Sequence, residues 1–297
     1  MPLEHLELPD AIVLAITGRH SERYLQARLT NDVRRASAEM AVRAAALAAQ
    51  GRVEAIGLIF RPEPERWLFV IDGGDRSGVR NAVARFKVAE QAEITDVSSA
   101  WRLGHVTGPA TVELAPFTGE RITTGELAVT GGAVEGWAIR NDRLGTPGVD
   151  LLTPRDPLGG HPTEPARGRP ISSDEAIRRR ILADRPAFPV ELNEETLLAE
   201  IPLEPVVSFT KGCYVGQEVV ARLDAYGRPP RLLRRLEVHG SEPVPSGTPV
   251  LGSDGRREGE IRSSVVSAAG DATLAFASIR AEVSGPLEVL GRPARFL

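Results

Sequence analysis

The sequence predicts an α+β protein that ends in a small antiparallel β-barrel, and three observations carry that expectation. Strand-length apolar runs alternate with amphipathic helix-length stretches through most of the chain. Beyond Pro229-Pro230 the pattern changes to short strands set closely between turns. The chain has 297 residues, against roughly 150 for an average domain, so more than one core is expected.

Each element has a local reason. Ala11 to Thr17 is a short apolar run suited to a strand, and Ser21 caps a stretch whose Tyr24, Leu25 and Leu29 share one helical face. After Thr30-Asn31-Asp32 an alanine-rich segment runs to Ala49 and turns at Gln50-Gly51. The β-branched run Val53 to Phe60, the Pro62-Glu63-Pro64 turn and Trp67 to Ile71 then read as a hairpin. Ser77 caps a helix in which Val79, Ala82, Val83 and Phe86 follow a 3.6-residue period, and Ala92 to Val97 resumes a strand. Val134 to Arg140 and Val149 to Leu152 are strand-like pieces between glycine-rich turns. His161 to Pro170 reads as a loop, Ser173 caps a helix over Asp174 to Ala183, and Pro186 and Pro189 end it. Gln217 to Tyr226 is a helix with Gly227 as its stop. Leu232 to His239, Thr248 to Leu251, Gly259 to Ser267, Ala272 to Ile279 and Leu287 to Leu290 are the barrel strands. Residues 1–228 are thus expected to form the sheet-and-helix part and residues 229–297 the barrel.

Composition narrows the function. Hydrophobic residues make up 42% and charged residues 26%, which excludes a disordered or collagen-like chain. Glu4 and Glu7 stand where a signal peptide would be basic, and no long apolar run follows, so a cytoplasmic protein with no membrane association is expected. A formal charge of -4 gives no global attraction to phosphate backbones, so strong direct nucleic-acid binding is not expected. The arginines at 178–180 and at 231, 234 and 235 read as solvated faces. Cys213 is the single cysteine, and His5, His20, His105, His161 and His239 show no ligand spacing. No metal site and no self-contained iron–sulfur cluster is therefore expected.

The chemistry concentrates in residues 208–222, which place the lone thiol in a turn bracketed by Gly212 and Gly216, just before the helix at Gln217. The unpaired N–H groups of that helix start and the cation of Lys211 both favour thiolate, and a free thiol pKa of roughly 8.5 needs only a small depression to ionise at neutral pH. A reactive Cys213 and a small buried hydrophobe are the two alternatives. A cysteine protease is disfavoured because no histidine has local support as a partner. Glu218 and Arg222, four residues apart, are placed to pair.

Lys211-Gly212-Cys213-Tyr214-Val215-Gly216-Gln217-Glu218 resembles the signature of the YgfZ family, folate-binding proteins related to the aminomethyltransferase (T protein) of the glycine cleavage system. Weaker similarity extends over most of the chain, at Tyr24-Leu25-Gln26, Leu29-Thr30-Asn31-Asp32-Val33, Gln50-Gly51-Arg52-Val53, Pro189-Val190-Glu191-Leu192-Asn193 and Gly259-Glu260-Ile261-Arg262-Ser263. The resemblance implies a three-lobed arrangement, with two interleaved sheet-and-helix subdomains and the barrel around a central opening for tetrahydrofolate or a derivative. It also implies a role in assembling or repairing iron–sulfur clusters, with cluster-dependent client enzymes, such as those modifying tRNA, or assembly factors as partners. Lys211 and Cys213 would be the functional pair, and Asn31, Asp32, Gly212, Tyr214, Gly216, Gln217, Glu218 and Arg222 the ligand contacts. Two departures stand out. Ala55 and Ile56 occupy the neighbourhood where the transferases carry a folate-activating aspartate, leaving Glu54 as the nearby carboxylate, and Leu182 stands where they present a carboxylate to the pterin. Leucine cannot accept the pterin's N–H bonds. A folate-dependent one-carbon transferase or demethylase is the alternative function, and a folate carrier without turnover a third.

Overall fold

Period-two burial and short turns give this chain seventeen strands and four helices among the residues that the computed structural model describes, 3–108, 124–128, 134–155, 168–227 and 229–297. In chain order they are β1 (Glu4–Glu7), β2 (Ile12–Thr17), α1 (Ser21–Arg28), β3 (Val42–Leu47), β4 (Val53–Glu63), β5 (Arg66–Ile71), α2 (Arg76–Ala84), β6 (Glu93–Asp96) and β7 (Trp101–Thr107). There follow β8 (Thr124–Ala128), β9 (Val134–Arg140), β10 (Gly148–Pro154), β11 (Arg169–Pro170), α3 (Ser173–Leu182) and α4 (Gln217–Tyr226). The last six are β12 (Arg231–His239), β13 (Pro249–Gly252), β14 (Arg257–Val266), β15 (Ala272–Arg280), β16 (Leu287–Val289) and β17 (Arg292–Phe296).

Two separate sheets precede a closed barrel. The first runs β3-β4-β5-β2-β6, the second β11-β1-β7-β10-β9-β8, and the barrel β12-β15-β14-β13-β16-β17. Since β1 lies in the second sheet and β2 in the first, the chain crosses between the sheets at its start, and the subdomains interleave. Alternation along β2 explains how they stack. Ile12, Leu14 and Ile16 face Tyr24 and Leu25 of α1 and Val79 and Val83 of α2, whereas Val13 and Ala15 face the layer holding Leu103, Ile139 and Leu152 of the second sheet. Both faces of the strand are covered, hence its unbroken apolar run. In the barrel, Leu236, Val238, Val250, Ile261, Ala275, Ala277 and Val289 fill the interior, while Ile181 of α3 packs outside on Val265, Leu274 and Phe276.

Several expectations are corrected. Ser21 opens α1 without capping it, and its buried Oγ accepts from Trp67 Nε1 at 3.1 Å. Asp75, not Ser77, caps α2 by accepting from Gly78 N at 2.6 Å, and Ser172, not Ser173, caps α3. Phe86 lies beyond the end of α2 in a left-handed conformation and is half exposed, because Tyr24 Oη takes the carbonyls of Val83 and Arg85 and the helix stops there. The sixth barrel strand, β17, was not among the expected strands, yet it pairs with both β12 and β16 and closes the barrel. His161 and most of its expected loop lie outside the described residues; Arg169 and Pro170 pair with β1.

The arginine clusters are fasteners, not solvated faces. Arg179 reaches Glu4 and Glu175, Arg180 forms a two-pronged pair with Glu191, and Arg178 Nε donates to Val266 O at 3.0 Å. Arg235 donates to Leu182 O at 2.7 Å, and the Arg234 guanidinium stacks 3.6 Å over the Phe296 ring. Apart from the Arg179–Glu175 pair inside α3, each contact ties α3 or a barrel strand to its neighbour.

Candidate functional site

The segment carrying the thiol lies along the turn that follows α1, and the local sequence explains why. Thr30 Oγ1 donates to Val206 O at 2.7 Å and accepts from Ala45 N at 2.9 Å, while Ser208 N donates to Thr30 O at 3.1 Å. Lys211 turns inward. Its Nζ donates to Leu29 O at 2.6 Å and Asn31 O at 2.9 Å and sits 5.4 Å from the centre of the Tyr214 ring. Burial pushes the Lys211 pKa down to about 8, with the Asp32 charge opposing that shift and Arg34 adding to it. Burial likewise raises the Tyr214 pKa to about 12.

Gly216 then lets α4 start. It sits at φ +84°, and a Cβ there would stand 2.8 Å from Ala48 O. Gly51, at φ +77°, answers from the other side, since a Cβ would come within 3.0 Å of Val219 Cγ1. The Gln50-Gly51 turn and the start of α4 therefore meet across two glycines.

With its inner side clamped, the loop presents Cys213 and Gly212 to solvent, and nothing lies within 4 Å of where a Gly212 Cβ would be. Cys213 is thus an exposed thiol rather than a buried hydrophobe. The Lys211 ammonium is held by main-chain carbonyls, so its cation serves the loop's anchoring.

The other expected contacts are spread around this loop. Asn31 is buried; its Nδ2 donates to Arg43 O at 3.0 Å and its Oδ1 accepts from Asp32 N at 2.8 Å. Asp32 Oδ1 caps the short 3-10 turn at Arg34 N and accepts from Gln26 Nε2. Gln217 is half-buried, Glu218 and Arg222 are exposed, and no ion pair joins those two among the described residues. Glu54 is committed elsewhere, to Arg28 at 2.8 Å and to Arg85.

A second polar centre lies where the two sheets and the segment after α3 meet. There a cavity has an apolar wall that includes Ile56, Leu58, Val70, Phe188 and Leu192 and a polar side of Arg43, Asp72, Asn141, Arg143 and Asp150. Arg143 Nη1 pairs with Asp72 Oδ2 at 2.9 Å, and its Nη2 and Nε reach Asp150 at 2.6 and 3.1 Å. Asn141 Nδ2 donates to Asp150 Oδ2 at 2.8 Å and its Oδ1 accepts from Arg43 Nη2 at 3.0 Å, while His105 Nδ1 lies 2.8 Å from Asp150 Oδ1. Burial by itself would raise the Asp150 pKa; the Arg143 charge, with hydrogen bonds from His105 and Arg143, more than offsets it and holds the carboxyl well below the usual range.

None of residues 211–222 lines this cavity, so the thiol loop and the cavity are two places, joined through Asn31 and the Arg43 carbonyl. Sequence reasoning missed the cavity residues. The available signal was Asp150 inside the apolar run Val149 to Leu152, because a carboxylate on a buried strand must be paired. Among the described residues no group of three or more His, Cys, Asp or Glu is placed to hold a metal ion, and no helix is long and apolar enough to cross a membrane.

Two separate sheets, entered in turn by the first two strands, and a closed six-stranded barrel give this chain a fold like that of the glycine cleavage T protein. The T protein of Bartonella henselae superposes over 100% of this chain and 85% of its own, with a TM-score of 0.81 at 14% identity. In sequence the chain is similar to the tRNA-modifying protein YgfZ. The Shigella dysenteriae serotype 1 protein is 24% identical over 274 residues, 89% of this chain and 82% of its own length, and that of Escherichia coli O45:K1 matches to the same extent. No protein-family profile matches the chain.

Proposed function

We propose that this chain is a cytoplasmic, YgfZ-like folate-binding accessory protein that supports iron–sulfur cluster assembly or repair for enzymes such as those modifying tRNA. The observation that carries the reading is an exposed thiol at Cys213, on a loop anchored from beneath by Lys211, within the eight-residue stretch that resembles the YgfZ signature. A lone thiol can exchange with other thiols or lend one ligand to a cluster that others complete; both uses need it at the surface. The pocket at the junction of the sheets, with apolar side chains on one wall and hydrogen-bonding groups on the other, is the candidate place for a folate's head. When bound, folate would supply the one-carbon-carrying pterin, and Arg43, Asp72 and Asn141 would bind and orient it. The transferase reading is less well supported, since Glu54 on the strand after the glycine turn is held by two arginines.

The test pairs cells with purified protein. A strain lacking the gene is expected to lose cluster-dependent tRNA methylthiolation and to recover it with the wild-type chain but not with Cys213→Ala. That variant should keep wild-type stability to within about 0.5 kcal/mol, as surface changes do. Full rescue by the alanine form removes the thiol from the function. Absence of heat on titration with millimolar tetrahydrofolate removes the folate.

A further inference from the structure

The loop after α2, residues 85–92, turns apolar side chains to solvent. Val88 is 93% exposed and Phe86 is 51% exposed. Phe86 also sits at φ +70°, a left-handed conformation that strains a bulky residue, and a ring half in water recovers little of that strain through burial. The loop is nonetheless tightly bonded. Glu90 Oε2 accepts from Val88 N and from Ala89 N, each at 3.2 Å, Gln91 N donates to His20 Nδ1 at 3.0 Å, and Lys87 Nζ donates to Ala92 O at 2.9 Å. Its tip can therefore leave water without stranding those N–H groups.

Charge narrows what can cover this corner. Arg23, Arg80 and Lys87 form no ion pair among the described residues; Arg80 and Lys87 donate to the carbonyls of Ile94 and Ala92, and the Arg23 charge acts on Glu90. Glu54 serves both Arg28 and Arg85, which leaves one positive charge over. Those three cations and that surplus stand against the carboxylates of Glu90 and Glu93, in a chain whose formal charge is -4. A phosphate backbone or an anionic lipid surface is negative throughout and would meet those two carboxylates as well, whereas a protein can set its acids opposite the cations alone and offer a pocket to the apolar tip. We infer that this corner docks an acidic segment of another protein, with Phe86 and Val88 as the apolar anchors and Arg23, Arg80 and Lys87 as the charges that orient it. The corner also adjoins the thiol loop. The Arg28 guanidinium lies 5.7 Å from the centre of the Phe86 ring, and the residues on either side of Arg28 hold that loop, Ala27 O accepting from Val215 N at 3.3 Å and Leu29 O from Lys211 Nζ at 2.6 Å. That the docked protein is the thiol's client rests on the function proposed above; that an acidic protein docks here does not.

The test places the photo-cross-linking residue p-benzoylphenylalanine at the exposed position of Ala89 in the full chain, made in the cells that use it. Irradiation is expected to join the chain to a protein through a stretch rich in Asp and Glu. In that background Val88→Asp and Lys87→Glu should each lower the yield about tenfold, as changes to an anchor and to an orienting charge do. Phe86→Gly relieves the left-handed backbone, so it should keep the urea midpoint of the parent chain and still lose the adduct. Arg256→Glu, on a turn of the barrel, should change the yield less than about twofold. An adduct to lipid or nucleic acid, a contact stretch without acidic residues, or an undiminished yield in the folded variants overturns the inference. Should the variants not fold, the purified pair is irradiated at about 0.05 and about 0.5 M salt: a fall of about tenfold supports the inference and equal yield overturns it. No adduct, with methylthiolation restored by the wild-type chain, overturns the docking surface and leaves the proposed function standing. The expected adduct, with methylthiolation fully restored by Cys213→Ala, supports the docking surface and removes the thiol from the function.

Discussion

Lys211 keeps its ammonium in the interior, where the Leu29 and Asn31 carbonyls and the Tyr214 ring face stabilise the charge and burial opposes it; burial prevails, and the pKa falls from 10.5 to about 8. Removing the amine strands two buried acceptors, so Lys211→Met should cost about 1–3 kcal/mol of stability. The pH dependence distinguishes this amine from other causes. Below pH 8 the folded and unfolded chains both hold the proton. Between the folded value near 8 and the unfolded one near 10.4 only the unfolded chain holds it, so stability rises with pH by at most about 1.4 kcal/mol per unit. The Lys211→Met chain lacks that rise, and groups titrating in both proteins drop out of the difference. Urea unfolding of both at about pH 7 and about pH 10 should show the wild type's advantage growing. An advantage that stays constant would mean that Lys211 is not a depressed base.

At the scale of elements, one buried carboxylate fastens three pieces of the fold. Glu191 accepts from Arg180 at 2.6 and 3.1 Å, from Ala187 N at 2.7 Å and from Ser263 Oγ at 2.6 Å, joining α3, the segment after it and β14. Glu191→Gln leaves the Arg180 charge unpaired and is expected to cost about 3–5 kcal/mol, whereas Glu191→Leu combined with Arg180→Met should recover part of that. Urea midpoints read both, and a loss under about 1 kcal/mol for Glu191→Gln would show that the pair joins nothing that matters. Such joints also mark where the sequence stops being readable. α4 was legible to the residue, Gln217 to Tyr226, because glycines bracket it, and five barrel strands were legible from their alternation. β17 was not, since Pro293 and two arginines in a five-residue strand hide its inward Ala294. The arginines of α3 read as solvated because their partners are remote: Arg179 meets Glu4 across 175 positions. The cavity side chains come from six segments, so no local pattern could assemble them, whereas the thiol loop is one contiguous stretch and could be read whole.

Over the whole molecule, ionised carboxylates hold the lobes together, and this sets how the protein responds to acid. Glu4 joins β1 to α3 through Arg179 and to β11 through Arg169, and α3 in turn seats on the barrel through Ile181 and Arg178. Hydrogen bonds from Arg179 and then Arg169 lower the Glu4 pKa from 4.5 to about 2. Asp150, binding Arg143 between the two sheets, is lowered in the same direction. A carboxyl depressed on folding contributes its full stabilisation above the unfolded value and loses it as pH falls through the folded one, because the unfolded chain takes up the proton first. Stability should therefore decline from about pH 4.5 toward pH 2, with Glu4 supplying at most about 1.4 kcal/mol per unit of the slope. Glu4→Gln cannot titrate, so its unfolding free energy should start lower at neutral pH and fall less steeply in acid, the two curves converging near pH 2. Since the barrel reaches the second sheet through α3, barrel amides should exchange faster at neutral pH in the variant, while those of β2 and β5 keep their protection. Parallel acid curves for the two proteins would place the acid-sensitive joint elsewhere, with Asp150 the next carboxylate to replace.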